Sequence, residues 1–420
     1  MIKNILKSDF NRNFATLFSG SVLAQIVPLL ASVFLVRLFT PEDFGILAIF
    51  NAMVFVFVSA INLRYEFAIP LPKEDADAIS LAFLSMIVAF AVSLLLFVVF
   101  ILFKQPILIL IGGDGLGSWL YLVPFAAFLG GLYNALNYFS LRFKKYKTIA
   151  GSNIIRSVSN AGLQLGFGLA GINYVGLILG SFFSALFGNY KMIRHFMSHR
   201  SEFKKVTRST IVQNAKRYKK FPLISVWGIL INNLSVNINT FFISNLYGIK
   251  QLGYYSYGYR YLNVPLSLIS NNMGQLFYQI CADRYKEGKA ASKEFLSTLK
   301  KLLIICMPVF TVLFFVIEDL FALMFGEAWR VAGTYSKILL PLFFIRTVYG
   351  PLSLVTGAFE KQGLALILQI VLFSANIVSF TISYVYKFSI SHFLFLYMSL
   401  GSVVYSCLLL VLYLVSKKLL

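Results

Sequence analysis

Three arginines stand where a guanidinium is hardest to accommodate. Arg156, Arg260 and Arg346 each lie well inside a long apolar stretch, and no Asp or Glu shares those stretches to neutralise them. A charge in hydrocarbon costs several kcal/mol at least unless it meets a partner or a wet cavity. A guanidinium that lines such a cavity presents a planar fork of donors suited to a phosphate. A cavity so lined selects an anion. Arg64, at the end of another apolar stretch and followed by Glu66, either extends the same field to the cytoplasmic mouth or snorkels at the surface beside its neighbour.

Amide and hydroxyl groups accompany these charges at helical spacing. Arg260, Ser267, Asn271 and Gln275 share one face at 3.6 residues per turn, as do Asn153, Arg156, Asn160 and Gln164. Arg346, Gly350, Ser353 and Gly357 form a third stripe, and Ser21, Gln25, Pro28 and Ser32 a fourth. Two readings stay open for each: interhelical hydrogen bonding with close packing at glycine, or the lining of a substrate path. The lining candidates are Gln25, Arg64, Arg156, Asn233, Arg260, Asn271, Gln275 and Arg346.

The elements that must hold these residues are membrane spans. Of 420 residues 59% are hydrophobic and 13% charged, and the mean hydropathy is +0.79, too apolar for a soluble domain. Windows of about 20 apolar residues predict twelve helices, near 13–36, 44–63, 79–103, 117–140, 149–170, 173–193, 221–245, 255–281, 301–318, 335–357, 363–386 and 391–415. Unbroken apolar runs such as 87–103 and 302–317 exclude the alternation of a membrane barrel. The first span runs past the length of a signal-peptide core, with no small-residue cleavage site, and reads as a retained helix.

The net charge of +21 would suggest nucleic acid if it were gathered on a soluble face. It is instead sorted by side: 28 Lys and Arg fall in the tails and even-numbered loops and six in the odd-numbered loops. The positive-inside rule then places both termini in the cytoplasm, with the basic side against anionic lipids. Cys281, Cys306 and Cys407 lack C-x-x-C spacing, which predicts neither a disulfide framework nor a metal site. His195 and His199 are four apart but are accompanied only by Glu202, and Gly112, Gly113, Gly115 and Gly117 are followed by no Lys-Ser or Lys-Thr; they read as a loop face and a turn outside the membrane. Neither a nucleotide site nor any cofactor is expected.

Leu38-Phe39-Thr40-Pro41-Glu42-Asp43-Phe44-Gly45 returns in altered form as Leu246-Tyr247-Gly248-Ile249-Lys250-Gln251-Leu252-Gly253, each copy between two apolar helices. The offset also sets Gln25 against Asn233 and Ser32 against Thr240. The second copy follows an even number of spans, so the halves form a parallel repeat with a path between them. The hydrophilic stretch 194–220 divides them into a lobe of residues 1–220, ending in the basic cytoplasmic loop, and a lobe of residues 221–420. Outer loops are short, the longest near 104–117 and 318–334, leaving little room for the catalytic groups of a glycosyltransferase or polysaccharide polymerase.

The segments Arg37 to Gly45, Arg64-Tyr65-Glu66-Phe67-Ala68-Ile69-Pro70 and Tyr257-Gly258-Tyr259-Arg260-Tyr261-Leu262-Asn263-Val264-Pro265 carry a resemblance across all twelve helices. The chain resembles bacterial polysaccharide biosynthesis flippases of the O-antigen translocase type, within the multidrug, oligosaccharidyl-lipid and polysaccharide exporter superfamily. The resemblance implies an all-α integral membrane protein of the inner membrane, with two six-helix bundles around a central cavity open alternately to each side. Its implied cargo is a polyprenyl-pyrophosphate-linked oligosaccharide for O-antigen, lipopolysaccharide, capsule or exopolysaccharide, with other polysaccharide assembly proteins as partners and no covalent chemistry. A cation-coupled multidrug exporter of the same fold is the alternative; it would want a central carboxylate in the first lobe, and Asp43, Glu66 and Asp75 sit near or outside helix ends. Reporter fusions in 194–220 and at Lys418 should both read cytoplasmic, and an external signal from either would overturn the orientation.

Overall fold

A computed structural model describes residues 9–417, apart from the side chains of residues 9–19, 21, 224, 265, 268, 269, 271, 272, 286 and 362. Lys3, Lys7, Lys418 and the side chains of Arg12 and Asn271 therefore lie outside the described residues. Every regular element among the described residues is helical. The long helices are α1 (Asp9–Leu38), α2 (Pro41–Val58), α3 (Asp75–Leu102), α4 (Val123–Arg142), α5 (Tyr146–Leu169), α6 (Tyr174–Met197), α7 (Val226–Tyr247), α8 (Ile249–Lys286), α9 (Ser292–Phe325), α10 (Arg330–Ser353), α11 (Gln362–Val385) and α12 (Ile390–Ser416).

Eight of these are long and apolar enough to cross a membrane on composition, and the Val22–Leu38 portion of α1 is a shorter apolar helix. Helices α5, α6 and α8 reach membrane length but carry more polar residues; in α5 and α8 these include the Asn, Gln and Arg stripes. Polar faces and span length thus coexist, which is the expected signature of helices that do not meet lipid all round.

By contact the chain forms two compact units, Met1–Asn245 and Leu246–Leu420. The contact boundary falls one helix later than the boundary drawn from the repeat, because α7 belongs to the first unit almost to its end. A tight turn explains why. Gly112 has φ +58°, and a Cβ there would come within 2.5 Å of the Asn245 backbone nitrogen. Ser244 Oγ donates to the Gly112 carbonyl at 2.5 Å and Asn245 Nδ2 to the Ile109 carbonyl at 2.9 Å.

Within the first unit the helices are tied by side chains that donate to carbonyls of their neighbours. Ser157 Oγ reaches the Ala24 carbonyl at 2.7 Å, joining α5 to α1, and Gln164 Nε2 reaches the Leu177 carbonyl at 3.1 Å, joining α5 to α6. Asn189 Nδ2 binds the Leu129 carbonyl at 2.9 Å, and Ser93 Oγ the Pro124 carbonyl at 2.8 Å. Small polar donors of this kind are how membrane helices associate without a hydrophobic drive between them.

The repeated motif has a structural task in each unit. Thr40 and Asp43 form a capping box at the start of α2, and the other Asp43 oxygen accepts from the Tyr174 backbone N–H at the start of α6 at 2.9 Å. The matching Gln251 accepts from Tyr335 Oη at 2.6 Å, joining α8 to α10. Close approach of α8 and α10 also depends on Gly258, where a Cβ would fall 2.9 Å from the Ala332 carbonyl oxygen. Asp43→Ala removes one cap and one charge-assisted bond, so the purified protein should lose about 1–3 kcal/mol of stability. The measurement is the thermal unfolding midpoint in detergent, beside Asp43→Asn as the milder change.

Candidate functional site

In the second unit the site is built around Arg346, half-buried on α10. Its Nη1 donates to Tyr259 Oη of α8 at 3.0 Å. Its Cζ lies 5.7 Å from the Tyr259 ring centroid and 5.5 Å from that of Phe343, within range of cation–π attraction. The hydroxyls of Tyr405 and Tyr397, on α12, lie in the field of the same guanidinium. Among the described residues no carboxylate is within ion-pairing distance of it. A cation is thus held by phenols and ring faces from three helices, and by no carboxylate among the described residues.

The rest of the α10 stripe is packing. A Cβ on Gly350 would meet Ser270 Oγ of α8 at 2.6 Å, and one on Gly357 would sit 3.6 Å from Tyr278. The α8 stripe behaves differently: Arg260 and Gln275 are exposed on the surface of their unit, and Ser267 Oγ bonds the Val264 carbonyl of its own helix at 2.8 Å. The side chain of Asn271 lies outside the described residues.

In the first unit Arg156 lays its stem over Gly188 of α6, and its guanidinium is 5.8 Å from the Tyr133 ring of α4. Tyr133 Oη in turn donates to Asn153 Oδ1 at 2.5 Å. Gln164 is spent on the α5–α6 tie described above. Gln25 is half-buried and Asn233 buried, and neither side chain makes a hydrogen bond among the described residues. His195 and His199 meet edge to face with ring centroids 5.0 Å apart, in an aromatic cluster with Phe139 and Phe143.

The end of the first unit where α2 gives way to α3 holds a second charged locus. Asn62 Nδ2 donates to Ser85 Oγ at 2.8 Å and to the Gly131 carbonyl at 3.1 Å, fixing the end of α2 to α3 and α4. The next two residues, Leu63 and Arg64, both adopt left-handed backbone, with φ of 49° and 66°, uncommon for residues with side chains. That reversal sets the Arg64 guanidinium 3.7 Å over the Phe67 ring and 3.8 Å from Glu66 Oε1. Glu66 is only 2% exposed. Burial, opposed by a backbone hydrogen bond and by Arg64, pushes its carboxyl up to about 7.

Sequence reasoning passed over Tyr259, Tyr397, Tyr405, Tyr133 and the burial of Glu66. Tyr259 was within reach, since it adjoins Arg260 in a motif already singled out, but consecutive residues on a helix point about 100° apart. Arg142 was read only as one of the cytoplasmic charges; it is structural, bonding Asp75 Oδ1 at 2.8 Å and the Pro72 carbonyl at 2.6 Å.

Residues 34–333 match the family described as polysaccharide biosynthesis protein. Comparison with curated proteins found no match. Among solved structures, the lipid II flippase MurJ in an inward closed conformation is similar, with TM-score 0.71 and 15% identity over 94% of this chain and 87% of that one. An inward-facing multidrug resistance MATE family transporter of the MOP superfamily gives TM-score 0.65 and 15% identity over 96% and 95%. The chain therefore has the twelve-helix fold of these membrane transporters.

The raised Glu66 carboxyl makes stability depend on pH in a defined direction. The folded state binds this proton more tightly than the unfolded chain, so the contribution is complete below the ordinary 4.5 and is lost as pH rises through about 7. Thermal unfolding midpoints should fall across that window in the parent protein, and Glu66→Gln should flatten this part of the profile. A parent curve already superimposable on that of the variant would overturn the assignment.

Proposed function

Because the chain belongs to the polysaccharide biosynthesis protein family, we propose that it is a flippase for a polyprenyl-pyrophosphate-linked oligosaccharide. The observation that carries this reading is Arg346: a guanidinium inside a membrane-length helix, held by Tyr259 and two further phenols and opposed by no carboxylate among the described residues. A pyrophosphate supplies the acceptors that such a group lacks, and bidentate geometry favours arginine over lysine for the task. The exposed Arg260 and Gln275 of α8 add a second cation and an amide on one face. Gln25, Asn233 and Asn271 offer donors and acceptors to sugar hydroxyls, while Arg64 and Arg156 extend the positive field in the first unit.

Transport proceeds in this reading by alternating access in the cytoplasmic membrane of a bacterium, with both termini inside, the head group crossing and the lipid chain remaining in the bilayer. The chain performs no covalent step. Likeness of fold to a lipid II flippase supports a lipid-linked cargo, and the family supports a place in O-antigen, lipopolysaccharide, capsule or exopolysaccharide assembly alongside other assembly proteins. A multidrug exporter draws support from the same fold class. Its coupling carboxylate would have to be Glu66, which lies outside the spans and beside an arginine that repels a cationic drug.

Loss of a charge-assisted bond of about 1.5–3 kcal/mol predicts that Arg346→Gln lowers export of the surface glycan by about 10- to 100-fold at normal protein abundance. Arg346→Lys should retain part of it. Full export by Arg346→Gln together with Arg260→Gln, measured as surface glycan per cell, would end the cationic-path reading.

A further inference from the structure

Arg64 and Glu66 are adjacent, yet each keeps hydrogen-bonding capacity unused. Glu66 Oε2 and Arg64 Nε are buried and have no hydrogen-bond partner among the described residues, and the closest approach of the pair, 3.8 Å, is too long for a hydrogen bond. Exposure separates them: the Arg64 side chain is 20% accessible and that of Glu66 3%. An incoming anion can therefore touch the arginine and not the carboxylate. A buried carboxylate that loses its only cation is costly, so whatever takes Arg64 away must leave Glu66 neutral.

The other charges around the turn are paired or face solvent. From α4, Arg142 is bound to Asp75 of α3 and to loop carbonyls, and Tyr138 stacks its ring on Phe67 at 4.6 Å. From α3, Asp77 accepts from Asn214 of the helix Arg208–Arg217 at 3.0 Å. From that same helix, Lys216 and Arg217 are exposed, Arg217 lying against Tyr218, while Tyr65 Oη donates to the Ala215 carbonyl at 3.3 Å. Arg64 is thus the cation that acts on Glu66 from within the turn. The two consecutive left-handed residues that present it persist because Asn62 and Tyr65 fix the chain on either side.

We propose that Arg64 and Glu66 form a proton-linked anion site at the cytoplasmic end of the first unit, in which a phosphate-type anion binds Arg64 as Glu66 takes up one proton. The inference rests on the reading of the cargo as a pyrophosphate-linked lipid and adds its entry point. Its balance is simple. A proton from cytoplasmic water converts the Glu66 carboxylate to the acid, the guanidinium stays charged, and an oxygen of the anion takes over from Glu66 Oε1 as the negative charge beside it. Binding of anion and of proton favour one another, because each removes the obstacle to the other.

The test is isothermal titration of the full-length protein in nanodiscs with farnesyl pyrophosphate, and separately with inorganic pyrophosphate, in buffers of different ionisation enthalpy. At about pH 8 the parent protein should absorb up to one proton per anion bound, and its affinity should fall by up to about tenfold per pH unit above neutrality. Glu66→Gln mimics the protonated state, so it should bind tightly with no pH dependence from this site and with less proton uptake than the parent. The titration of the ligand itself is common to both proteins and cancels in that difference. Arg64→Gln should bind weakly. Linkage with farnesyl pyrophosphate alone assigns the site to a lipid-borne anion, and linkage with both probes assigns it to the anion alone.

Absence of anion binding, or equal proton uptake by the parent protein and Glu66→Gln, would overturn the proposal. The parent measurement remains decisive if Glu66→Gln folds poorly: once the ligand's own protonation, titrated without protein, is subtracted, binding in the parent that is independent of pH from about 6 to about 8 overturns the linkage by itself. Export that requires Arg346 while no such linkage exists would remove this site and leave the flippase reading intact. Linkage present while Arg346→Gln exports fully would do the reverse.

Discussion

A guanidinium inside a helical bundle must be stabilised by whatever dipoles surround it, and around Arg346 those are phenols and ring faces. Each cation–π contact contributes about 0.5–2 kcal/mol, enough to hold the side chain in place but not to satisfy a fork with five donors. The packing of the second unit follows from meeting that need. Helix α8 must bring Tyr259 to α10, so the two approach closely enough to require Gly258 and Gly350 at their contacts. Helix α12 supplies the remaining hydroxyls, and α9 covers the opposite side of α10 through Gly333, where a Cβ would meet the Glu318 backbone at 2.8 Å. A carboxylate at the position of Tyr259 would neutralise the arginine and weaken its attraction for an anionic ligand.

The first unit meets the same problem by a different route. Its tying side chains, Ser157, Asn189, Ser93 and Gln164, all donate to carbonyls of neighbouring helices, so its interior is held by neutral bonds. At the end where α2 gives way to α3, Arg142 and Asp75 pair cleanly and Arg64 and Glu66 do not. The contrast between a pair at 2.8 Å and one at 3.8 Å separates a structural ion pair from one whose members have capacity to spare.

Much of the fold was legible because each span is an independent signal: about 20 apolar residues between basic or turn-forming ones, read without knowing any neighbour. The stripes were legible as stripes, since helical periodicity depends only on the helix carrying them. What the stripes face was not. Gly350 and Gln164 turned out to meet neighbouring helices, while Arg260 and Gln275 are exposed, and spacing alone treats these alike. The partners of Arg346 were hidden because Tyr259 and Tyr405 are far apart in sequence, and a tyrosine in an apolar helix is ordinary. Glu66 was hidden for another reason: a carboxylate just after a span reads as a surface residue, and only the left-handed pair at Leu63 and Arg64, which no glycine announces, turns it inward. The docking of α7 onto the first unit depends on the Gly112 turn, which was recognisable as a turn but not as a seat for Asn245.

The two bonds of Asp43 also bear on how the protein is made. Its carboxylate serves the start of α2 through Thr40 and the start of α6 through Tyr174, and the latter partner lies 131 residues further along the chain. At a synthesis rate of about 5–20 residues per second, roughly 7–26 s pass between the emergence of the acid and that of its second partner. During that interval a bare carboxylate at the edge of the membrane would be a liability, and Thr40 answers it with both its hydroxyl and its backbone N–H at 2.8 Å. Thr40 thus keeps the acid occupied until the sixth helix arrives, and Tyr174 then ties the start of that helix to the start of the second.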